Sequence, residues 1–170
     1  MSKQNIPYSK QNIIKKDIDL VNNVLKSEYL TSGPLIKRFE KKISRKVNSK
    51  FAVAVNSATS ALHISCLALG LKKKDIVWTS SITFVASANC AKYCGAKVEF
   101  LDINDDTFNL DVDKLEQKLR FSKKTNTLPK ALIPVHLGGN PCDMKKIYFL
   151  SKKFKFKIIE DASHALGSKV

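Results

Sequence analysis

An apolar run that ends in acids, small residues and a histidine, Ile158-Ile159-Glu160-Asp161-Ala162-Ser163-His164-Ala165, holds the residue types best suited to chemistry. It reads as a buried strand, which puts Asp161 at a carboxyl end, where open α/β sheets place their ligands. A carboxylate buried there needs a cationic or hydrogen-bonding partner. A protonated pyridine nitrogen is one such partner. Asp161 would keep the ring protonated, and the ring could take up the electron pair of a substrate carbanion, the strategy of pyridoxal phosphate (PLP). His164 could then hydrogen-bond the phenolic oxygen of the ring. The rival is a metal held by Asp161 and His164, but two ligands without clear companions make a thin site.

Three other segments offer complementary groups. Asn56-Ser57-Ala58-Thr59-Ser60-Ala61 follows an apolar run and opens a helix. Ser57 or Asn56 can cap that helix, and its free N–H groups suit an anion such as a phosphate. The same pattern serves an ordinary capped helix, and His63, one turn inside, fits a packing role. In Thr79-Ser80-Ser81-Ile82-Thr83-Phe84-Val85-Ala86-Ser87, Phe84 stands where a strand meets a helix, able to stack on a flat heterocycle or to sit in the core. His136-Leu137-Gly138-Gly139-Asn140-Pro141 is a turn that can bring backbone close to a ligand. His136 itself admits a catalytic or a structural reading.

The elements that must position these groups alternate along the chain. Apolar residues recur at helical spacing from about residue 14 to 27, and again from Leu35 through Phe39 and Ile43 to Val47, with Thr31-Ser32-Gly33-Pro34 between. Runs at 51–55, 75–79, 97–101, 131–135 and 157–160 have strand character, and helical patterns cover about 58–69, 84–94, 111–121 and 143–154. Strand alternating with helix predicts an α/β domain with a parallel sheet and crossover helices. Crossovers of one hand bring the carboxyl ends of the strands to one edge, which gathers the segments above into a single site. The reading divides the chain into an N-terminal helical segment, 1–50, and the α/β part, 51–170.

Composition narrows the class. Thirty basic against fifteen acidic residues leave a net charge of +15, which invites phosphate contacts. All but Arg38, Arg45 and Arg120 are lysines, however, and arginine is the residue suited to bidentate reading of bases. The charge therefore reads as a solvated surface whose field favours anionic metabolites, with a basic nucleic-acid binder as a minor alternative. Cys66, Cys90, Cys94 and Cys142 lack the short paired spacing of a finger or ribbon and fit buried thiols. No apolar run reaches membrane-spanning length and the start lacks a signal-peptide core, so a cytoplasmic protein is expected.

In order and spacing, several strings together resemble the DegT/StrS family of PLP-dependent nucleotide-sugar aminotransferases. They are Ile6-Pro7-Tyr8-Ser9-Lys10-Gln11, Leu30-Thr31-Ser32-Gly33-Pro34, Val55-Asn56-Ser57-Ala58-Thr59-Ser60-Ala61-Leu62, Ile82-Thr83-Phe84-Val85-Ala86-Ser87-Ala88-Asn89, Pro134-Val135-His136 and Glu160-Asp161-Ala162-Ser163-His164-Ala165. The resemblance implies the large domain of fold-type I PLP-dependent transferases. The resemblance further implies transfer of an amino group from L-glutamate to C4 of a UDP-linked 4-keto-6-deoxy N-acetyl hexose, as on the route to pseudaminic acid. By the same resemblance Ala58 and Thr59 hold the PLP phosphate, Phe84 stacks on the ring, Asp161 pairs with the pyridine nitrogen and His164 lies near the phenolic oxygen. Thr31, Ser32 and Gly33 would lie near substrate, and a homodimer is implied. The lysine that forms the Schiff base with PLP lies further downstream in the family, and Lys169 follows Asp161 too closely to match it. The chain is thus expected to be the N-terminal portion of such an enzyme, truncated before the sheet is complete and inactive alone. A non-catalytic fragment that binds PLP or a sugar nucleotide is the alternative.

Overall fold

The computed structural model describes residues 10–169, which fall into two units divided between Ala54 and Val55. Ile6-Pro7-Tyr8-Ser9, the start of the first matching string, lies outside the described residues.

The first unit contains α1, Lys15–Leu25, and α2, Pro34–Lys46. Asp17 closes the start of α1 by accepting from the Ile14 N–H at 3.0 Å. Pro34 begins α2 at the position where a missing N–H costs nothing, and Arg45 and Lys46 complement the dipole at its end. Neither helix has a buried residue. Ile18, Val21, Leu25 and Phe39, the apolar positions that define the helical period, are all more than half exposed.

One expected element is absent. Residues 51–55 are irregular, although their apolar alternation reads as a strand. A strand exists only against a neighbour that takes up its ladder of hydrogen bonds. No described strand pairs with this segment, and the Ala54 N–H donates instead to the Glu40 carboxylate at 2.9 Å.

The second unit holds four parallel strands: β1 (Ile76–Ser80), β2 (Lys97–Leu101), β3 (Ala131–Ile133) and β4 (Lys157–Ile158), in the order β2-β1-β3-β4. Helices α3 (Ala58–Ala68) and α4 (Ala86–Tyr93) cover one face, with Leu62, Cys66, Cys90 and Ala91 packed on Val77, Ala131 and Ile133. Helices α5 (Val112–Lys124) and α6 (Met144–Phe154) cover the other, with Leu115, Leu119, Ile147 and Leu150 packed around Trp78 and Leu132. His63 packs edge-on against Tyr93, centroids 5.3 Å apart, in the packing role its position suggested. The four cysteines are free thiols, and only Cys94 is more than slightly exposed.

Because β1 connects outward to β2 on one side while β3 and β4 lie on the other, the strand order reverses between β1 and β3. That reversal opens a crevice at the carboxyl edge of the sheet.

Candidate functional site

Pro134 interrupts the ladder at this edge. It has no N–H, so β3 ends at Ile133, yet its carbonyl still accepts from the Asp161 N–H at 2.9 Å. Pairing resumes one step on, where Val135 bridges Asp161 and the His136 N–H donates to the Asp161 carbonyl at 3.1 Å. The N–H and the carbonyl of Asp161 are therefore both held by the extension of β3, beyond the formal end of β4.

Its side chain is equally constrained. Asp161 is 6% exposed and turns toward the α4 face. Oδ2 accepts from the Ser87 hydroxyl of α4 at 2.7 Å. Oδ1 accepts from the Ser163 hydroxyl at 2.6 Å and from the Ser163 N–H at 3.3 Å. Among the described residues no lysine, arginine or histidine forms an ion pair with it. A buried carboxylate with hydroxyl donors and no cation has the character that a protonated heterocycle would complement.

Phe84 lies one helical turn before Ser87, whose N–H donates to the Phe84 carbonyl at 3.1 Å. Its ring is 72% exposed, which excludes the core role and leaves a face open for stacking. At the start of α3, Ser57 caps the helix by accepting from the Ser60 N–H at 3.2 Å, and the Ser60 hydroxyl donates to Asn56 at 2.7 Å. Ala58 and Thr59 follow the cap, and among the described hydrogen bonds neither N–H has an acceptor. These two donors at a positive helix end suit a phosphate. PLP thus fits the chemistry on hand at three points: phosphate, ring face and ring nitrogen.

His164 is exposed, and its carbonyl packs against the turn at Leu137–Gly139. Gly139 has φ +85°, and a Cβ there would stand 2.9 Å from the His164 carbonyl oxygen. Ser168 adds a hydroxyl donated to the Gly139 carbonyl at 2.8 Å. Asn109, which carries no sequence signal, braces the turn from outside: it donates to the Asn140 carbonyl at 2.9 Å and accepts from the Leu137 N–H at 3.1 Å.

His136 is buried on the α6 side, opposite Asp161. Its Nδ1 accepts from the Cys142 N–H at 3.1 Å, and its Nε2 meets the Glu160 carboxylate at 3.2 Å. That hydrogen bond holds the Glu160 carboxyl below its usual range. Cys142 and Glu160 would draw the ring upward, to about 9. The backbone N–H aimed at Nδ1 opposes this, because a doubly protonated ring has no lone pair to offer it. The turn fixes that donor and the Cys142 thiol donates to the Val135 carbonyl, so the hydrogen-bond pattern assigns the neutral Nε2–H tautomer. Both ring nitrogens are engaged in structure, and of the two readings the structural one fits.

Thr31, Ser32 and Gly33 belong to the first unit. Thr31 is exposed, while Ser32 and Gly33 line a hollow of about 190 Å³ with Tyr29, Leu30 and Leu35. A Cβ on Gly33 would stand 2.7 Å from that of Tyr29. A wider hollow of about 750 Å³ follows β4 and α6, past Tyr148, Lys152, Phe156 and Glu160, on the side away from Ser87. Among the described residues no three His, Cys, Asp or Glu side chains gather as a metal would require, and no helix is long and apolar enough to cross a membrane.

Comparison with known proteins gives a consistent picture. The family model described as DegT/DnrJ/EryC1/StrS aminotransferase matches residues 11–170. A UDP-4-amino-4,6-dideoxy-N-acetyl-beta-L-altrosamine transaminase of Campylobacter jejuni is 47% identical over 96% of the chain and 42% of its own length. Among solved structures, Helicobacter pylori PseC, an aminotransferase involved in the biosynthesis of pseudoaminic (pseudaminic) acid, superposes with TM-score 0.85. It is 32% identical over 98% of the chain and 44% of its own. The PLP form of a sugar aminotransferase from Streptococcus pneumoniae gives TM-score 0.84 and 31% identity over 96% of the chain and 44% of its own. The chain spans about two fifths of the length of these relatives. The α/β architecture with its parallel sheet is that of the PLP aminotransferases, consistent with fold-type I.

Proposed function

The chain belongs to the DegT/DnrJ/EryC1/StrS aminotransferase family, and from that premise we propose that it is the cofactor-holding N-terminal part of a nucleotide-sugar aminotransferase. The whole enzyme would move the amino group of L-glutamate to C4 of a UDP-linked 4-keto-6-deoxy N-acetyl hexose, leaving 2-oxoglutarate and the amino sugar. It would work as a homodimer in the cytoplasm. The 47% identity to the Campylobacter transaminase supports this choice of substrate.

The observation that carries the reading is the Asp161 carboxylate, buried, tethered by Ser87 and Ser163, and without a cationic partner among the described residues. PLP, when bound, supplies a conjugated, protonated ring able to delocalise an electron pair. This chain's part is to hold and orient it. Asp161 would keep the proton on the pyridine nitrogen, Phe84 would cover one ring face, and His164 would serve the phenolic oxygen. The Ala58 and Thr59 N–H groups would take the phosphate. Thr31, Ser32 and Gly33 are assigned to substrate. The resemblance places the family's reactive lysine downstream of the Asp161 motif, and these residues are the ones that would hold the cofactor.

Titration of the chain with PLP, followed by cofactor fluorescence and equilibrium dialysis, tests the proposal. Saturable retention is expected, weakened about a hundredfold by Asp161→Ala. A folded chain that retains no PLP overturns the assignment.

A further inference from the structure

Ser87 lies in the first turn of α4, 74 residues from Asp161 in sequence and fully buried, and the cofactor reading uses it only as a tether of the carboxylate. Its hydroxyl has one proton. Donated to Asp161 Oδ2 at 2.7 Å, that proton leaves the Ser87 oxygen to act as acceptor toward Thr83, whose hydroxyl lies 2.7 Å away, one turn earlier. The polarity of the chain is therefore determined: Thr83 donates to Ser87, and Ser87 donates to the carboxylate.

The two oxygens of Asp161 are tied to different elements. Oδ1 bonds only to Ser163, two residues on, a local turn that travels with Asp161. Oδ2 bonds to the first turn of α4, and the Ser87 N–H in that turn donates to the Phe84 carbonyl just before the helix at 3.1 Å. Of the two ties, the one through Ser87 fixes the carboxylate relative to the turn that bears the stacking face.

We propose that Ser87, polarised by Thr83, is a positioning residue that sets where the Asp161 carboxylate meets the pyridine nitrogen. This rests on the PLP reading above. Without the Ser87 hydroxyl the carboxylate keeps only its local turn and rotates away from α4. Ring stacking and nitrogen contact then cease to be satisfied together.

The test uses the full chain loaded with PLP labelled with ¹⁵N in the pyridine ring, reading affinity by titration and nitrogen protonation by the ¹⁵N chemical shift across pH. Ser87→Ala is expected to bind PLP about tenfold more weakly, as for loss of a hydrogen bond to a charged group. Its ring nitrogen should lose its proton at a lower pH than in the parent. Ser87→Thr, which keeps the hydroxyl, should restore both, and Thr83→Val should give a smaller change in the same direction. Circular dichroism establishes that each variant is folded. If Ser87→Ala leaves affinity and nitrogen signal unchanged while Asp161→Asn alters both, the positioning role is refuted and the cofactor site stands. If Asp161→Asn also changes neither, the cofactor reading itself fails.

Discussion

Replacing Gly139 with alanine separates the cost of an unusual backbone angle from the cost of a blocked approach. Gly138 and Gly139 are adjacent and both left-handed, with φ +60° and +85°. A Cβ on Gly138 meets nothing within 4 Å, so Gly138→Ala should carry only the conformational penalty, about 1 kcal/mol. On Gly139 the Cβ stands 2.9 Å from the His164 carbonyl oxygen, whereas ordinary contact begins at 3.4 Å. That oxygen cannot retreat freely, because the Ala165 N–H donates to the Ala162 carbonyl at 2.9 Å and the Ser168 hydroxyl to Gly139 itself at 2.8 Å. Forcing the strip apart adds about 1–3 kcal/mol, as overpacking does elsewhere. Gly139→Ala should therefore destabilise by about 2–4 kcal/mol in all. Urea unfolding followed by the fluorescence of the single tryptophan, Trp78, fully buried in the core of the second unit, reads both variants. Since the displaced strip carries Asp161, Ser163 and His164, Gly139→Ala should also weaken PLP retention, and Gly138→Ala should not. Equal unfolding midpoints for the two variants would refute the reasoning.

Ser57→Ala removes the cap of α3 and should cost about 1 kcal/mol in the same urea assay, while weakening PLP more than it weakens the dephosphorylated pyridoxal. Acid should expose the Asp75–Lys130 pair, 2.8 Å apart at the amino ends of β1 and β3. Lys130 holds the Asp75 carboxyl below its usual range, so its contribution is complete above the unfolded value near pH 4 and is lost as pH falls through the lower folded one. Lys130→Met, costing about 1 kcal/mol, should flatten that acid limb in urea midpoints measured against pH. The bare apolar faces of α1 and α2 should make the chain self-associate, seen as scattering that rises with concentration. A monodisperse 19.0 kDa species would contradict this.

The helices and all four strands were legible in the sequence because each carries its own signal. Ile147, Leu150 and Phe154 repeat at helical spacing, and the apolar run from Ile76 is bounded by Asp75 and a turn. Residues 51–55 show the limit of such reading. Phe51, Val53 and Val55 alternate as a half-buried strand should, yet all three are exposed. Local pattern reports what a segment can pair with; pairing needs a partner that the described residues do not supply.

The site divides along the same line. Asp161 was legible because an acid at the end of an apolar run is costly without a purpose. The donors that fix it were not. Ser87 is a small polar residue in the first turn of a helix, a place where serine is ordinary and uninformative. It becomes significant only because the first turn of α4, just after β1, comes within hydrogen-bond reach of Asp161 at the carboxyl edge of the sheet. Asn109 escapes for the same reason, since its two bonds reach across 28 and 31 residues to a turn. The residue type and strand-end position of Asp161 thus stand in the sequence, whereas its orientation is a property of topology, held by a hydroxyl that only the folded sheet brings to it.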